Sequence, residues 1–196
     1  MRFCVYCASQ PGNKPVYRQA ARELGQLMAE RNIGLVYGGN KYGLMGEVAT
    51  TALVAGGKVI GVMPHVLSTL EHVHPGLTEL YFVETLHERK ARMIGLSDGA
   101  IVMPGATGTM DEMFEHFTWL NLGLHEKPCA IFNIDGFYDP LLALMRRMVT
   151  DGFLLQEHLD SLVVSSQASE LLDKLCAWQP QPPVWGLRKD KLKEVA

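Results

Sequence analysis

Two stretches of the chain carry the groups from which an anion site can be built. They are Gly38-Gly39-Asn40-Lys41-Tyr42-Gly43-Leu44-Met45-Gly46 and Pro104-Gly105-Ala106-Thr107-Gly108-Thr109-Met110-Asp111-Glu112. Each follows a short apolar run and opens a helical pattern. A strand, a glycine turn and a helix start together present unpaired backbone N–H groups and the positive end of a helix dipole. That combination suits a phosphate. Thr107 and Thr109 add hydroxyl donors, and the glycines let the backbone come close. A tight connection without a ligand is the other reading of each turn. Neither turn is a P-loop, because no GxxxxGKS/T occurs. Ala8-Ser9-Gln10-Pro11-Gly12 lacks GxGxxG, which argues against dinucleotide chemistry.

Charged residues flank the second turn. Thr109-x-x-Glu112 has the spacing of a capping box, which predicts a helix with Thr109 as its N-cap. The same carboxylate would stand at the mouth of the phosphate site, so capping and catalysis are compatible. His87-Glu88-Arg89-Lys90 opens the preceding helix. Its two cations either pair with a phosphate or carboxylate or form a solvated basic face. Cations at a helix start oppose the dipole, and such a local conflict points to function. Cys4 and Cys7 form a CxxC, but residues three apart on a strand point to opposite faces, so they read as buried thiols. The seven histidines show no HExxH or other ligand spacing, so no metal is expected. Asp135-Gly136-Phe137-Tyr138-Asp139-Pro140 reads as a structural turn into a helix, with Asp139 as N-cap and Pro140 at the first helical position.

The elements that must hold these groups alternate along the chain. Apolar strand runs are expected at Arg2–Cys7, Gly34–Tyr37, Lys58–Met63, Leu80–Glu84, Ala100–Met103, Pro128–Asn133 and Leu162–Val164. Helices are expected at Pro15–Arg31, Leu44–Ala55, His87–Leu96, Thr109–Leu122, Asp139–Thr150 and Ala168–Trp178. Such alternation implies βαβ units. The fold class is therefore α/β, a doubly wound, mostly parallel sheet with helices on both faces in a single domain over 1–178. A Pro-rich and charged tail, 179–196, follows. Ligands of such sheets sit beyond the carboxyl ends of the strands, at the switch point.

Composition narrows the classes. Among 196 residues, 18 Lys and Arg against 21 Asp and Glu give a net charge of −3, with no electrostatic footprint for polymeric nucleic acid or a membrane surface. No apolar run is long enough to span a bilayer, and no leader-like segment opens the chain. Four cysteines without a disulfide framework fit a cytoplasmic protein.

Taken in order, the motifs Gly38–Gly46, His87–Lys90 and Pro104–Glu112, with Phe117-Thr118-Trp119 and Gly136–Pro140, resemble the signatures of the LOG (Lonely Guy) family. Its members are cytokinin riboside 5′-monophosphate phosphoribohydrolases. The resemblance implies a Rossmann-like fold, a homodimer, and hydrolysis of an adenine-type nucleoside 5′-monophosphate to free base and ribose 5-phosphate. Carried over by motif, Arg89 and Glu112 match the catalytic pair. Glu71, Arg89, Lys90, Gly105, Ala106, Thr107, Gly108, Thr109, Met110, Asp111 and Thr118 match nucleotide-binding positions, and Gly38 and Gly39 line the same crevice. The family turn reads Pro-Gly-Gly-x-Gly-Thr, whereas this chain has Ala106 at the third position, where a methyl group would disfavour φ > 0 and crowd a phosphate.

Loss of a purine leaves an oxocarbenium-like ribosyl centre, which a carboxylate near C1′ would stabilise while orienting water. Glu112 is the candidate, with Arg89 clamping the phosphate or orienting Glu112. This chemistry needs no metal or organic cofactor. Pyridoxal-phosphate chemistry, a label attached to the family, needs a Schiff-base lysine, and nothing marks Lys41, Lys58, Lys90 or Lys127 as one. A non-catalytic nucleotide carrier and a general purine monophosphate nucleosidase in salvage are the alternatives.

Overall fold

A computed structural model describes residues 1–68 and 72–180. Seven strands, β1 (Arg2–Tyr6), β2 (Gly34–Tyr37), β3 (Val59–Pro64), β4 (Glu79–Val83), β5 (Gly99–Val102), β6 (Cys129–Phe132) and β7 (Val163–Ser165), form one sheet. Their order is β4-β3-β2-β1-β5-β6-β7 and every pairing is parallel. The helices are α1 (Pro15–Glu30), α2 (Gly43–Val54), α3 (His65–Ser68), α4 (Leu86–Leu96), α5 (Thr107–Asn121), α6 (Asp139–Thr150), α7 (Gln156–Asp160) and α8 (Ala168–Ala177).

The central strands read as unbroken apolar runs because both sheet faces are covered. Phe3 and Val5 of β1, with Cys7 just after it, pack with Leu24 and Met28 of α1, Val48 of α2 and Leu171 of α8. Cys4 and Tyr6 turn the other way, into a core with Met93 of α4, Met113 and Phe117 of α5, and Met145 of α6. The CxxC is thus split between two cores, and all four cysteines are free. Strand order reverses between β1 and β5, so the doubly wound architecture and its switch point stand as expected. Among the described residues no helix is long and apolar enough to cross a membrane. Of the expected tail, residues 181–196 lie outside the described residues.

Two local expectations need correction. Helix α5 starts at Thr107 with Ala106 as N-cap, and no side chain caps it. The backbone turns helical two residues before Thr109, which therefore buries its side chain against Gly105 instead of capping. The capping interaction belongs to α4. There Thr85 Oγ1 accepts from Glu88 N at 3.1 Å, and Glu88 Oε2 accepts from Glu84 N at 3.0 Å. The Glu88 carboxylate also offsets the unfavourable position of Arg89 and Lys90 on the dipole. In α6, Asp139 is the first helical residue behind an N-cap at Tyr138, and its carboxylate accepts from Asn133 Nδ2 at 2.7 Å.

Candidate active site

The carboxyl ends of β2, β1 and β5 lie side by side at one end of the sheet, and α5 begins there directly after β5. Helix α4 packs over β1 to β4 and α5 over β1, β5 and β6, so the gap between them lies above β1.

Arg89 enters this gap from the first turns of α4 and is buried. Its Nε donates to Val62 O at 3.1 Å and its Nη2 to Gly38 O at 3.0 Å. Two carbonyls at the ends of β3 and β2 therefore hold the guanidinium in one orientation. Residue 38 must lack a side chain, because a Cβ there would overlap Arg89 Nη2. Gly39 follows in the left-handed region, at φ +82°, and turns the chain over the crevice.

Glu112 approaches from α5 and is also buried. Its charge and that of Arg89 converge on the end of β1. Burial first, then Glu112, pushes the Cys4 and Cys7 thiols well above the ordinary range, while Arg89 pulls both back. The opposed fields of Arg89 and Glu112 act on the same two thiols, which stay protonated and inert, as expected for Cys4 and Cys7.

The Pro104–Thr109 turn completes the crevice. Met110 N donates to Ala106 O as the first intrahelical bond of α5, so the amides of Thr107, Gly108 and Thr109 precede the ladder. Thr107 and Gly108 are exposed, and the space a side chain at Gly108 would fill is open. Gly105 is required by contact, since a Cβ there would overlap the Thr109 hydroxyl. Ala106 sits at φ −104°, ψ −153°, a conformation that alanine adopts without strain. The expectation that its methyl group opposes the local φ is therefore overturned. Behind the turn, the Tyr138 hydroxyl donates to Met103 O at 2.7 Å, so the Gly136–Pro140 segment props the end of β5. The turn is tied to the β1 loop by Ala8 N donating to Pro104 O at 3.2 Å.

Lys90 is buried, and its ammonium does not project freely into the crevice. It sits 2.6 Å from Glu115 Oε2 and 3.0 Å from Asp111 Oδ2. Burial alone would lower its pKa, but hydrogen bonds and charge from Glu115 and Asp111 outweigh that and raise it. An ammonium so held is a poor Schiff-base nucleophile. Lys127 is pushed down by burial, yet its Nζ donates to Ile94 O at 2.5 Å and it precedes β6, at the amino-terminal end of the strands.

The structure joins Gly38 to Arg89, Lys90 to Asp111 and Gly105 to Thr109, and it places Ala106, Thr107, Gly108 and Glu112 at the start of α5, with Gly39 just beyond β2. Met110 points its side chain into the core, leaving its backbone to the turn. Thr118 stands apart: it is exposed on α5, six residues and about 9 Å of helix rise beyond Glu112. Glu71 lies outside the described residues. Sequence reasoning missed Glu115, whose signal was its placement one helical turn after Asp111. It also missed the anchor of α5 on β1. Tyr6 OH meets His116 Nδ1 at 3.4 Å, and His116 Nε2 donates to Lys127 O at 3.1 Å. Among the described residues no group of His, Cys, Asp and Glu is placed to hold a metal ion.

Comparisons with known proteins place the chain in a family. The family model described as "Possible lysine decarboxylase" matches residues 45–175. A rice protein named probable cytokinin riboside 5′-monophosphate phosphoribohydrolase LOGL1 (Oryza sativa subsp. japonica) is 44% identical over 174 residues, 89% of this chain and 78% of the relative. The Arabidopsis thaliana cytokinin riboside 5′-monophosphate phosphoribohydrolase LOG1 is 40% identical over 180 residues, 92% of this chain and 84% of the relative. Among solved structures, TM1055 superposes with a TM-score of 0.68 at 21% identity, covering 88% of this chain and 96% of that one. A Moco carrier protein from Chlamydomonas reinhardtii does so with a TM-score of 0.67 at 18% identity, over 90% of this chain and 97% of that one. At such identities these two show the shared fold alone. Matching motifs, parallel-sheet architecture and extensive identity to named phosphoribohydrolases lead to one assignment: the chain belongs to the LOG family, hydrolases that act on N-glycosyl bonds.

Proposed function

We propose that the enzyme hydrolyses the N-glycosidic bond of adenine-type nucleoside 5′-monophosphates, N6-substituted ones included, and releases free base and ribose 5-phosphate. The observation that carries this reading is the convergence of buried Arg89 and Glu112 on the end of β1, beside the open N-terminus of α5. The amides of Thr107, Gly108 and Thr109 would hold the 5′-phosphate, favoured by the helix dipole. Gly38 and Gly39, the backbone of Gly105, Ala106 and Met110, and the side chains of Lys90 and Asp111 would wall the ribose and base. With the phosphate anchored, C1′ would lie over the end of β1, between the two charges.

The carbon–nitrogen bond at C1′ breaks as positive charge develops on the ribose. The carboxylate of Glu112 would stabilise that charge and take a proton from the attacking water. The water oxygen bonds to C1′, the base leaves with the bonding pair and takes a proton from solvent, and Glu112 then returns the water's proton to solvent. Arg89, anchored on two carbonyls, would hold either the phosphate or the Glu112 carboxylate in register.

A homodimer belongs to the same proposal. Thr118 shares an exposed strip of α5 with Phe114 and the C-cap residue Leu122, at helical spacing, and a second copy seated there would bring Thr118 to a ligand.

The test is direct. The purified protein is incubated with AMP and with isopentenyladenosine 5′-monophosphate, and free base is followed by chromatography, with Glu112→Gln as control. Release that vanishes in the variant is the expected result, and the ratio of the two rates separates cytokinin activation from general purine salvage. No release from either substrate, with AMP still bound, would replace this reading with a binding module.

A further inference from the structure

Helices α4 and α5 each carry two consecutive charged residues in their first two turns. Arg89 and Lys90 come from α4, Asp111 and Glu112 from α5. One residue of each couple belongs to the proposed reacting pair, and the other joins a bridge between the helices. The Lys90 ammonium meets Glu115 Oε2 at 2.6 Å, Asp111 Oδ1 at 3.1 Å and Asp111 Oδ2 at 3.0 Å. Residues 111 and 115 are one helical turn apart, so their carboxylates rise from the same strip of α5 and straddle the ammonium.

The two halves of this bridge differ. The Lys90 side chain is 7% exposed and that of Glu115 21%, against 62% for Asp111. Water and salt screen the Asp111 contact, so the more shielded and shorter Glu115 contact is the one that fixes the ammonium. Removing one partner of a shielded pair leaves the other charge uncompensated, and the side chain then moves toward solvent. Here the chain that would move carries Arg89 as its neighbour. Lys90, with two carboxylates around it, offers a ligand no uncompensated positive charge. A phosphate in this crevice is therefore left to the amides of α5 and to Arg89.

We infer that Glu115 is a positioning residue: through Lys90 it sets the separation of α4 and α5, and with it the placement of Arg89 relative to Glu112. The inference rests on Arg89 and Glu112 acting as the reacting pair.

The experiment measures kcat and KM for base release, and the thermal midpoint, in wild type, Glu115→Gln, Glu115→Asp, Lys90→Met and the Lys90→Met/Glu115→Gln double variant. AMP or its isopentenyl analogue is used, whichever turns over faster. Rates are taken well below the lowest midpoint, so that folded enzyme is compared with folded enzyme. Glu115→Gln should lower kcat about tenfold or more with KM within about threefold, the signature of misplaced rather than missing groups. Glu115→Asp, which keeps the charge, should recover part of that loss. In the Lys90→Met background, Glu115→Gln should change kcat by less than about twofold, because Glu115 acts through Lys90. An unchanged kcat in Glu115→Gln would overturn the inference, as would an equal loss in both backgrounds. If wild type turns over and Glu112→Gln does not, such a result counts against Glu115 alone. If wild type releases no base from either substrate, the functional reading fails and this inference with it.

Discussion

The Nη2 atom of Arg89 occupies the place where any side chain at residue 38 would begin. The same atom donates to the Gly38 carbonyl, so one glycine supplies both the vacancy and the anchor for the guanidinium. Gly38→Ala should displace Arg89. The obstructed atom is the tip of a flexible side chain, so the fold should survive with a modest loss of midpoint. We expect kcat/KM to fall by about 100-fold, the scale of an ångström-sized misplacement of a catalytic group. Full activity in Gly38→Ala would show that this orientation of Arg89 is dispensable.

On the proposed reading, the open N-terminus of α5 would make the phosphate the handle by which a substrate is held. Adenosine offers the same scissile bond without that handle. Its kcat/KM should lie at least about 1,000-fold below that of AMP, since binding energy from the remote group lowers the barrier at C1′. Inorganic phosphate should compete with AMP. Comparable rates for adenosine and AMP would remove the Thr107–Thr109 turn from the mechanism.

Ala106 departs from the glycine of the family motif, yet its backbone lies in the extended region. Glycine gains nothing there and frees the unfolded chain. Ala106→Gly should leave KM for AMP within about twofold and cost roughly 0.5–1 kcal/mol of stability. A large drop in KM would show that the methyl group itself obstructs the phosphate.

Much of this fold is legible in the sequence because its physics is local. Strands buried on both faces read as apolar runs, as at Arg2–Tyr6, and the amphipathic spacing of Ala20, Leu24 and Met28 marks α1. Helices α3 and α7, of four and five residues, are too short to show a period. The misplaced capping box has a physical cause: the spacing of three between Thr109 and Glu112 is also that of two residues inside a helix. What anchors Arg89 was hidden for another reason. Its acceptors are main-chain carbonyls 51 and 27 residues away, and a carbonyl leaves no trace in residue identity. Glu115 had the right spacing from Asp111, but its partner stands on a different helix.

The anchor of α5 also predicts how the protein responds to acid. His116 is fully buried one turn beyond Glu112, with Nε2 donating to Lys127 O and Nδ1 facing the Tyr6 hydroxyl, an arrangement that the neutral ring protonated on Nε2 satisfies. Burial, reinforced by the neighbouring His125, pushes its pKa down to about 3, and burial with Lys127 pushes His125 down to about 4. In the unfolded chain both return to about 6.5. The unfolded state therefore binds more protons than the folded state below that pH, and stability rises with pH through this window. The contribution is fully present above about pH 6.5, declines as the pH falls, and is exhausted near the folded-state values. Each such histidine adds a slope of about 1.4 kcal/mol per pH unit well inside the window. The lowered carboxyl of Glu170 acts in the same direction, but only below its ordinary range, so the histidines dominate between pH 6 and 5. Denaturant melts at pH 7, 6 and 5 should show that decline in the wild type. His116→Gln can still donate to Lys127 O and accept from Tyr6 without titrating, so its decline should be shallower by about one proton. Equal slopes in the two proteins would mean that His116 carries its ordinary pKa in the folded state, and that the Tyr6–His116–Lys127 contact does not hold α5 on β1 in the way described.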